Sequence, residues 1–148
     1  MNYRKGTPKD LNQFSELFDA YRMFYGKTTD IEGAKTFLEE RISNKDSELF
    51  VVETTENKLV GFVQLYPLFS STRMKKFWLL NDLFVYPESR GKGVSIGLIE
   101  MAKTLVAESN ACGMFLETEK SNLIGNKLYP KTGFELNTES NFYEWNVK

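Results

Sequence analysis

The chain has 148 residues, 41% of them hydrophobic and 26% charged, with a net charge of −1. That is enough for one domain with a sizeable core, and it lacks the basic excess that general nucleic-acid binding needs. There is no histidine, which removes the commonest general base and metal ligand, and the single cysteine, Cys112, excludes an internal disulfide or a multi-cysteine metal site.

No apolar run approaches the ~20 residues of a membrane span, and the N-terminal stretch carries no apolar signal core. No membrane or nucleic-acid partner and no metal are therefore expected, and the cytoplasm is the expected location. Any catalysis has to run on carboxylates, tyrosines, lysines, backbone dipoles or ordered water.

Residues 2–5 read as a short first strand. Thr7-Pro8-Lys9-Asp10 is a helix start, with Thr7 as cap, proline at the first helical position and an acid in the first turn. Leu11, Phe14, Leu17, Phe18, Tyr21 and Phe24 follow at helical spacing, and Gly26 ends the helix. Asp30 caps a second helix whose flank carries Ala34, Phe37, Leu38, Arg41 and Ile42.

A strand-rich block comes next. Residues 48–54 turn through 56–58 into 59–68, and a loop over 69–74 leads into 75–85. Residues 94–108 carry a helical pattern and 113–118 another strand, with Cys112 read as a small core residue before it. A helix opens at Ser121 or Asn122, runs through Lys131 and ends at Gly133, and residues 134–136 and 142–147 close the sheet. The order β-αα-βββ-α-β-α-ββ is that of a mixed α/β (α+β) domain spanning residues 1–148, with antiparallel strands early and a βαβ unit late.

The most informative stretch is YPESRGKGVSIG, residues 86–97, between a strand and a helix. It places bare N–H groups at a helix N-terminus, where the missing intrahelical partners and the helix dipole favour a phosphate. Gly91 and Gly93 let the backbone approach an anion, and Arg90 and Lys92 add charge. The spacing matches neither the P-loop nor GxGxxG, which the glycines at 91, 93 and 97 miss by one residue.

The stretch does fit R-x-x-G-x-[GA] at Arg90, Gly93 and Ser95, with serine in the last place, and so resembles the coenzyme A pyrophosphate loop of the GNAT acetyltransferase superfamily. A second element strengthens the resemblance. Asn122, Gly125, Tyr129, Gly133 and Phe134 fill N-x-x-[AG]-x-x-x-Y-x-x-x-G-[FWY], common in that superfamily. The likeness spans essentially the whole chain and implies a fold whose fourth and fifth strands diverge, the acyl cofactor lying in the notch between them.

By this resemblance the cosubstrate is acetyl-CoA. Residues Arg90, Gly91, Lys92, Gly93, Val94 and Ser95 would hold its diphosphate, the backbone of Leu83, Phe84 and Val85 would pair with pantetheine as an added strand does, and Asn122 and Gly125 would meet the same arm. Tyr129 would lie near the sulfur and protonate the departing thiolate. Free thiol and phenol pKa values of ~8.5 and ~10 make full transfer uphill by only ~2 kcal/mol.

The strand over residues 79–87 is similar to that of the polyamine and thialysine acetyltransferases, except that Asn81 stands where those enzymes carry a glutamate. Asp82 follows, but alternation points it to the opposite sheet face unless a bulge re-aims it.

An amine of pKa ~10.4 carries a deprotonation cost of ~4.6 kcal/mol at pH 7, so something must take its proton. Glu117 is the preferred carboxylate, ahead of Glu119, Asp82 and tyrosines of the first helix. Tyr25, Arg22 and Asn81 are the expected acceptor contacts, with Phe24 read as core.

The implied activity is N-acetylation of a primary amine on a small molecule (polyamine, diamine or amino acid) in a ternary complex. The alternative is a coenzyme A-binding sensor that performs no transfer. A homodimer through the C-terminal strands, with Phe142, Tyr143 and Trp145 at the contact, is also implied.

Overall fold

A computed structural model describes all 148 residues. Its elements run β1 (Asn2–Lys5), α1 (Leu11–Phe24), α2 (Ile31–Asn44), β2 (Glu48–Glu53), β3 (Leu59–Ser70), β4 (Lys75–Val85), α3 (Val94–Glu108), β5 (Met114–Phe115) and α4 (Leu123–Lys131). The chain divides into two units, Met1–Glu117 and Thr118–Lys148. No helix is long and apolar enough to cross a membrane.

The first unit is built on a five-stranded sheet in the order β1-β2-β3-β4-β5. The first three pairings are antiparallel, and β5 joins β4 in parallel. This is the mixed α/β class that the element order predicts. One face carries α1 and α2, whose Phe14, Leu17, Phe18, Ala34 and Leu38 form one buried cluster with Leu49, Val51, Leu59, Phe62 and Phe84 of the sheet. Val94, Leu98, Ile99 and Ala102 of α3 are also buried. Trp78 of β4 reaches the end of α3, where its indole N–H donates to Ser109 Oγ at 2.9 Å.

The entry to α1 is a 3-10 turn, Pro8–Asp10, rather than a first α-helical turn. Asp10 is buried there and does two jobs. It accepts from the Thr7 N–H at 2.8 Å, and both its oxygens take the Arg4 guanidinium, at 2.8 and 2.9 Å. Between α1 and α2, Asp19 accepts from Thr29 Oγ1 at 2.6 Å and from the Asp30 N–H at 2.7 Å, while Asp30 caps α2 by accepting from the Gly33 N–H at 2.9 Å.

Three sequence expectations are corrected. The strand expected over 113–118 is ordered as strand only at Met114–Phe115. Residues 134–136 and 142–147 form no ladder and have no hydrogen-bonded partner strand, and Phe142, Tyr143, Trp145 and Val147 are exposed. Phe24, at the last position of α1, is 58% exposed rather than core, because the helical stripe runs on past the buried cluster. Cys112 is half-buried, and its N–H donates to Lys76 O.

Candidate active site

β4 and β5 pair only at Trp78↔Met114 and Leu79↔Phe115. From Leu80 to Val85 the edge of β4 facing away from β3 therefore has no strand beside it. The Tyr86 N–H donates to Val60 O of β3 at 2.9 Å. Alternation along an antiparallel ladder then turns the peptide groups of Phe84 to β3 and leaves those of Leu83 and Val85 on the open edge. Of the three residues expected to pair with an extended arm, two present main chain there, and Phe84 contributes its buried ring instead.

The glycine turn follows directly on this edge. A 3-10 turn, Pro87–Ser89, leads to Gly91 (φ 75°) and Gly93 (φ 76°), both in the left-handed region that a side chain disfavours. Gly93 caps α3, and the first donation into the helix is from Gly97 N to Gly93 O at 3.1 Å. The N–H groups of residues 91–96 consequently have no acceptor within the chain. Six successive free donors at a helix N-terminus are chemistry that suits a phosphate group.

The flanking cations are not aimed into that turn. Lys92 Nζ donates to Glu88 O at 3.3 Å. Arg90 donates its N–H to Pro87 O and its Nε to Val85 O, at 3.2 and 2.9 Å, and its guanidinium lies over Phe24 and Phe84.

The register of β3 against β4 slips between Gln64↔Asp82 and Leu65↔Leu80, so Asn81 is an extra residue in β4. This bulge is the condition that decides where Asp82 points. Trp78 and Leu80 lie on the α3 face, and without the bulge Asp82 would join them. With it, Asp82 turns to the α1 face, where Phe84 also packs against Tyr21 at 5.9 Å.

There Asp82 is only 5% exposed. It accepts from Gln64 Nε2 at 2.9 Å, Asn81 Nδ2 at 3.0 Å and the Tyr21 side chain. Burial pushes its carboxyl above the usual range, and the three donors pull the other way. Burial also raises the Tyr66 phenol, assisted by the Asp82 charge.

Gln64 is itself oriented, since Ser47 Oγ donates to its Oε1 at 2.9 Å. Sequence reasoning missed Gln64 and Ser47. The available signal was a lone glutamine inside the apolar run of β3.

The remaining expected acceptor contacts separate. Tyr25 follows the last residue of α1 as its C-cap, with its ring edge-on to Tyr21 and Phe24, at 5.1 and 5.3 Å. Arg22 turns toward α2, donating to Thr28 O at 3.3 Å and lining a cleft of about 300 Å³ with Phe18, Asp30, Gly33, Ala34 and Phe37. Asn81 is exposed beside Asp82. Glu117 and Glu119 are exposed in the segment after β5.

In the second unit Asn122 caps α4, accepting from the Gly125 N–H at 3.0 Å and donating to Thr118 Oγ1 at 2.8 Å. A side chain at position 125 would collide with that cap. Tyr129 is half-buried and packs edge-on against Phe134 at 5.7 Å, and Tyr129 O accepts the Phe134 N–H past Gly133 at 3.0 Å. The motif's glycine–aromatic end thus closes α4 onto the tyrosine.

Comparison with known proteins gives the family. The acetyltransferase (GNAT) family matches residues 14–134, a span that runs through both units. An uncharacterized N-acetyltransferase of Bacillus subtilis (strain 168), YhfO, is 38% identical over 147 residues, covering 99% of this chain and 98% of that protein. The crystal structure of a probable acetyltransferase is 34% identical with a TM-score of 0.95, covering 100% of this chain and 99% of that one. A predicted acetyltransferase from Clostridium acetobutylicum, crystallised with acetyl-CoA, shares the fold at a TM-score of 0.79 and 19% identity, over 98% and 95% of the two chains. The chain belongs to the acetyltransferase (GNAT) family and is an acyl-CoA N-acetyltransferase.

Proposed function

We propose that residues 1–148 form one acetyltransferase domain, working in the cytoplasm, that moves an acetyl group from acetyl-CoA to a primary amine of a small molecule. The acceptor is a polyamine, a diamine or an amino acid, and transfer is direct, within a ternary complex. The observation that carries this reading is the run of six unpartnered N–H groups at residues 91–96, following immediately on the open edge of β4.

The main-chain N–H groups from Gly91 to Ser95, Val94 included, take the diphosphate, and the Leu83 and Val85 main chain takes the pantetheine amides. Asn122 and Gly125 contribute to the same arm by resemblance to the family. An N–H of the β4 edge polarises the thioester carbonyl as the amine nitrogen attacks. The C–N bond forms, the C–S bond breaks, and the thiolate takes the Tyr129 proton.

The amine proton goes to a carboxylate. Glu117 serves in the sequence-based reading, through water, since it is exposed. A second reading gives the role to Asp82, and the bulge at Asn81 favours it, because it turns a buried carboxylate onto the face where Tyr21, Tyr25 and Phe84 gather. Arg22, Tyr25 and Asn81 are the proposed acceptor contacts. A homodimer in which a second copy covers Phe142, Tyr143 and Trp145 completes the proposal, and a monomer mass by light scattering would remove that part.

Calorimetry with coenzyme A against ATP, followed by thiol release over a panel of polyamines, amino acids and N-terminal peptides, tests the activity. A preference for coenzyme A and thiol release with one amine class are expected. Equal affinity for ATP, or no release with any amine, would overturn the reading.

A further inference from the structure

We infer that Arg90 is a positioning residue that ties the glycine turn to the C-terminal end of α1 and caps the open edge of β4, instead of serving as a counter-charge for the diphosphate. This rests on the proposed reading only in what the turn binds.

Three contacts define the tie. Arg90 Nε donates to Val85 O at 2.9 Å, and the guanidinium carbon lies 5.3 Å from the Phe24 ring centroid and 5.5 Å from that of Phe84. The two rings are themselves 6.1 Å apart. A planar cation suits this position, because it stacks on aromatic faces while its edge donates in plane. The Arg90 N–H is held by Pro87 O, so this residue adds no main-chain donor to the anion site that begins at Gly91.

Two loose ends of the fold meet at this side chain. Alternation leaves the Val85 carbonyl on the open edge, where no strand satisfies it, and Arg90 does so. Phe24 projects past the helical core at 58% exposure, and the cation gives its ring a partner. Tyr25, an expected acceptor contact, packs edge-on against Phe24 at 5.3 Å. A chain of contacts thus runs from Val85 through Arg90 and Phe24 to Tyr25, linking the cofactor turn to the acceptor wall.

The cap also sets register. With the Val85 carbonyl occupied, an extended arm entering this edge is left the Val85 N–H and both peptide groups of Leu83. That restricts where the arm can stop.

The test compares Arg90→Lys, Arg90→Met and Phe24→Leu by amide hydrogen exchange of the ligand-free protein and by calorimetry with coenzyme A. Lysine keeps the charge but loses the Nε donor and the planar face. Both Arg90 variants should speed exchange across residues 22–27 by about fivefold or more, with coenzyme A affinity within about threefold of the parent protein. Phe24→Leu should reproduce the exchange change, and combining it with Arg90→Met should add nothing.

If Arg90→Met weakens coenzyme A binding about tenfold or more while Arg90→Lys restores it, Arg90 is a phosphate counter-charge and the inference fails. Unchanged exchange in both Arg90 variants would also overturn it. Failure of the parent protein to bind coenzyme A would remove the proposed function but leave the exchange result readable.

Discussion

The side-chain amide of Gln64 donates to the buried carboxylate of Asp82 at 2.9 Å, across the strand pair where Asn81 makes β4 bulge. Burial raises the Asp82 carboxyl, and the Gln64 donor opposes that rise. A base works in its ionised form, so Gln64→Leu should move the acidic limb of kcat/KM toward higher pH. Asp82→Asn should abolish that limb and lower kcat by about 10²-fold or more. The pH–rate profiles of both variants decide this; an Asp82→Asn enzyme that keeps the parent profile would leave the proton to Glu117.

The same carboxylate makes a stability prediction of known sign. Its folded-state value lies above its unfolded one, so the folded protein binds the proton more tightly. Stability from this group is full below the ordinary carboxylate range and is lost as pH rises through the raised value. Asp82→Asn removes that loss. In thermal melts from pH 4 to 8, the variant should gain on the parent protein as pH increases; a constant difference would show that Asp82 is not destabilised by ionisation.

Arg4 is a contrasting case. Its guanidinium bridges Asp10 at 2.8 Å and Glu53 at 2.8 Å, joining β1, the entry of α1 and the end of β2. The Arg4 hydrogen bonds hold the Asp10 carboxyl below its usual range. Here stability is present above the unfolded carboxylate value and is lost as pH falls through the depressed one. Arg4→Met should cost about 2 kcal/mol at pH 7 by leaving the buried Asp10 short of its charged donor. Urea titrations at pH 7 and pH 3 should show the difference shrinking at the lower pH, and a gap that stays constant contradicts the assignment.

Much of the local structure around the candidate site was legible because it rests on local chemistry. The glycine turn, the Asp30 cap and the α4 motif each depend on residues within a few positions of one another, and all form as their spacing predicts. The bulge was not legible: it is set by the pairing of β3 with β4, so the face taken by Asp82 follows from tertiary register rather than from alternation in one strand. Arg90 was read from its place in a motif, whereas its side chain answers to Phe24, distant in sequence. The strand pattern over 142–147 had no visible partner, and periodicity alone cannot supply one.

The turn itself predicts a sharp steric test. Gly93 holds φ 76° with open space around it, so a side chain there meets a backbone penalty rather than a clash. Gly93→Val should force the peptide out of the left-handed region, at about 1–2 kcal/mol, and break the row of N–H groups. Coenzyme A affinity should fall about tenfold or more, while a β-branched residue at the exposed Lys92 should have little effect. Equal affinities for the two variants by calorimetry would remove the turn as the diphosphate site.

Tyr129 separates binding from chemistry. Its phenol is the proposed proton source for the departing thiolate, and its ring packs edge-on against Phe134 at the close of α4. Tyr129→Phe keeps that packing and removes only the hydroxyl, so folding and coenzyme A affinity should survive. With an unassisted thiolate leaving group, kcat should drop by about 10²-fold. The drop should be smaller for acyl donors whose thiols are more acidic, because their thiolates need less help to depart. A Tyr129→Phe enzyme with parent kcat, or one whose deficit ignores leaving-group acidity, would show that the proton comes from elsewhere and that the tyrosine serves the α4 fold alone.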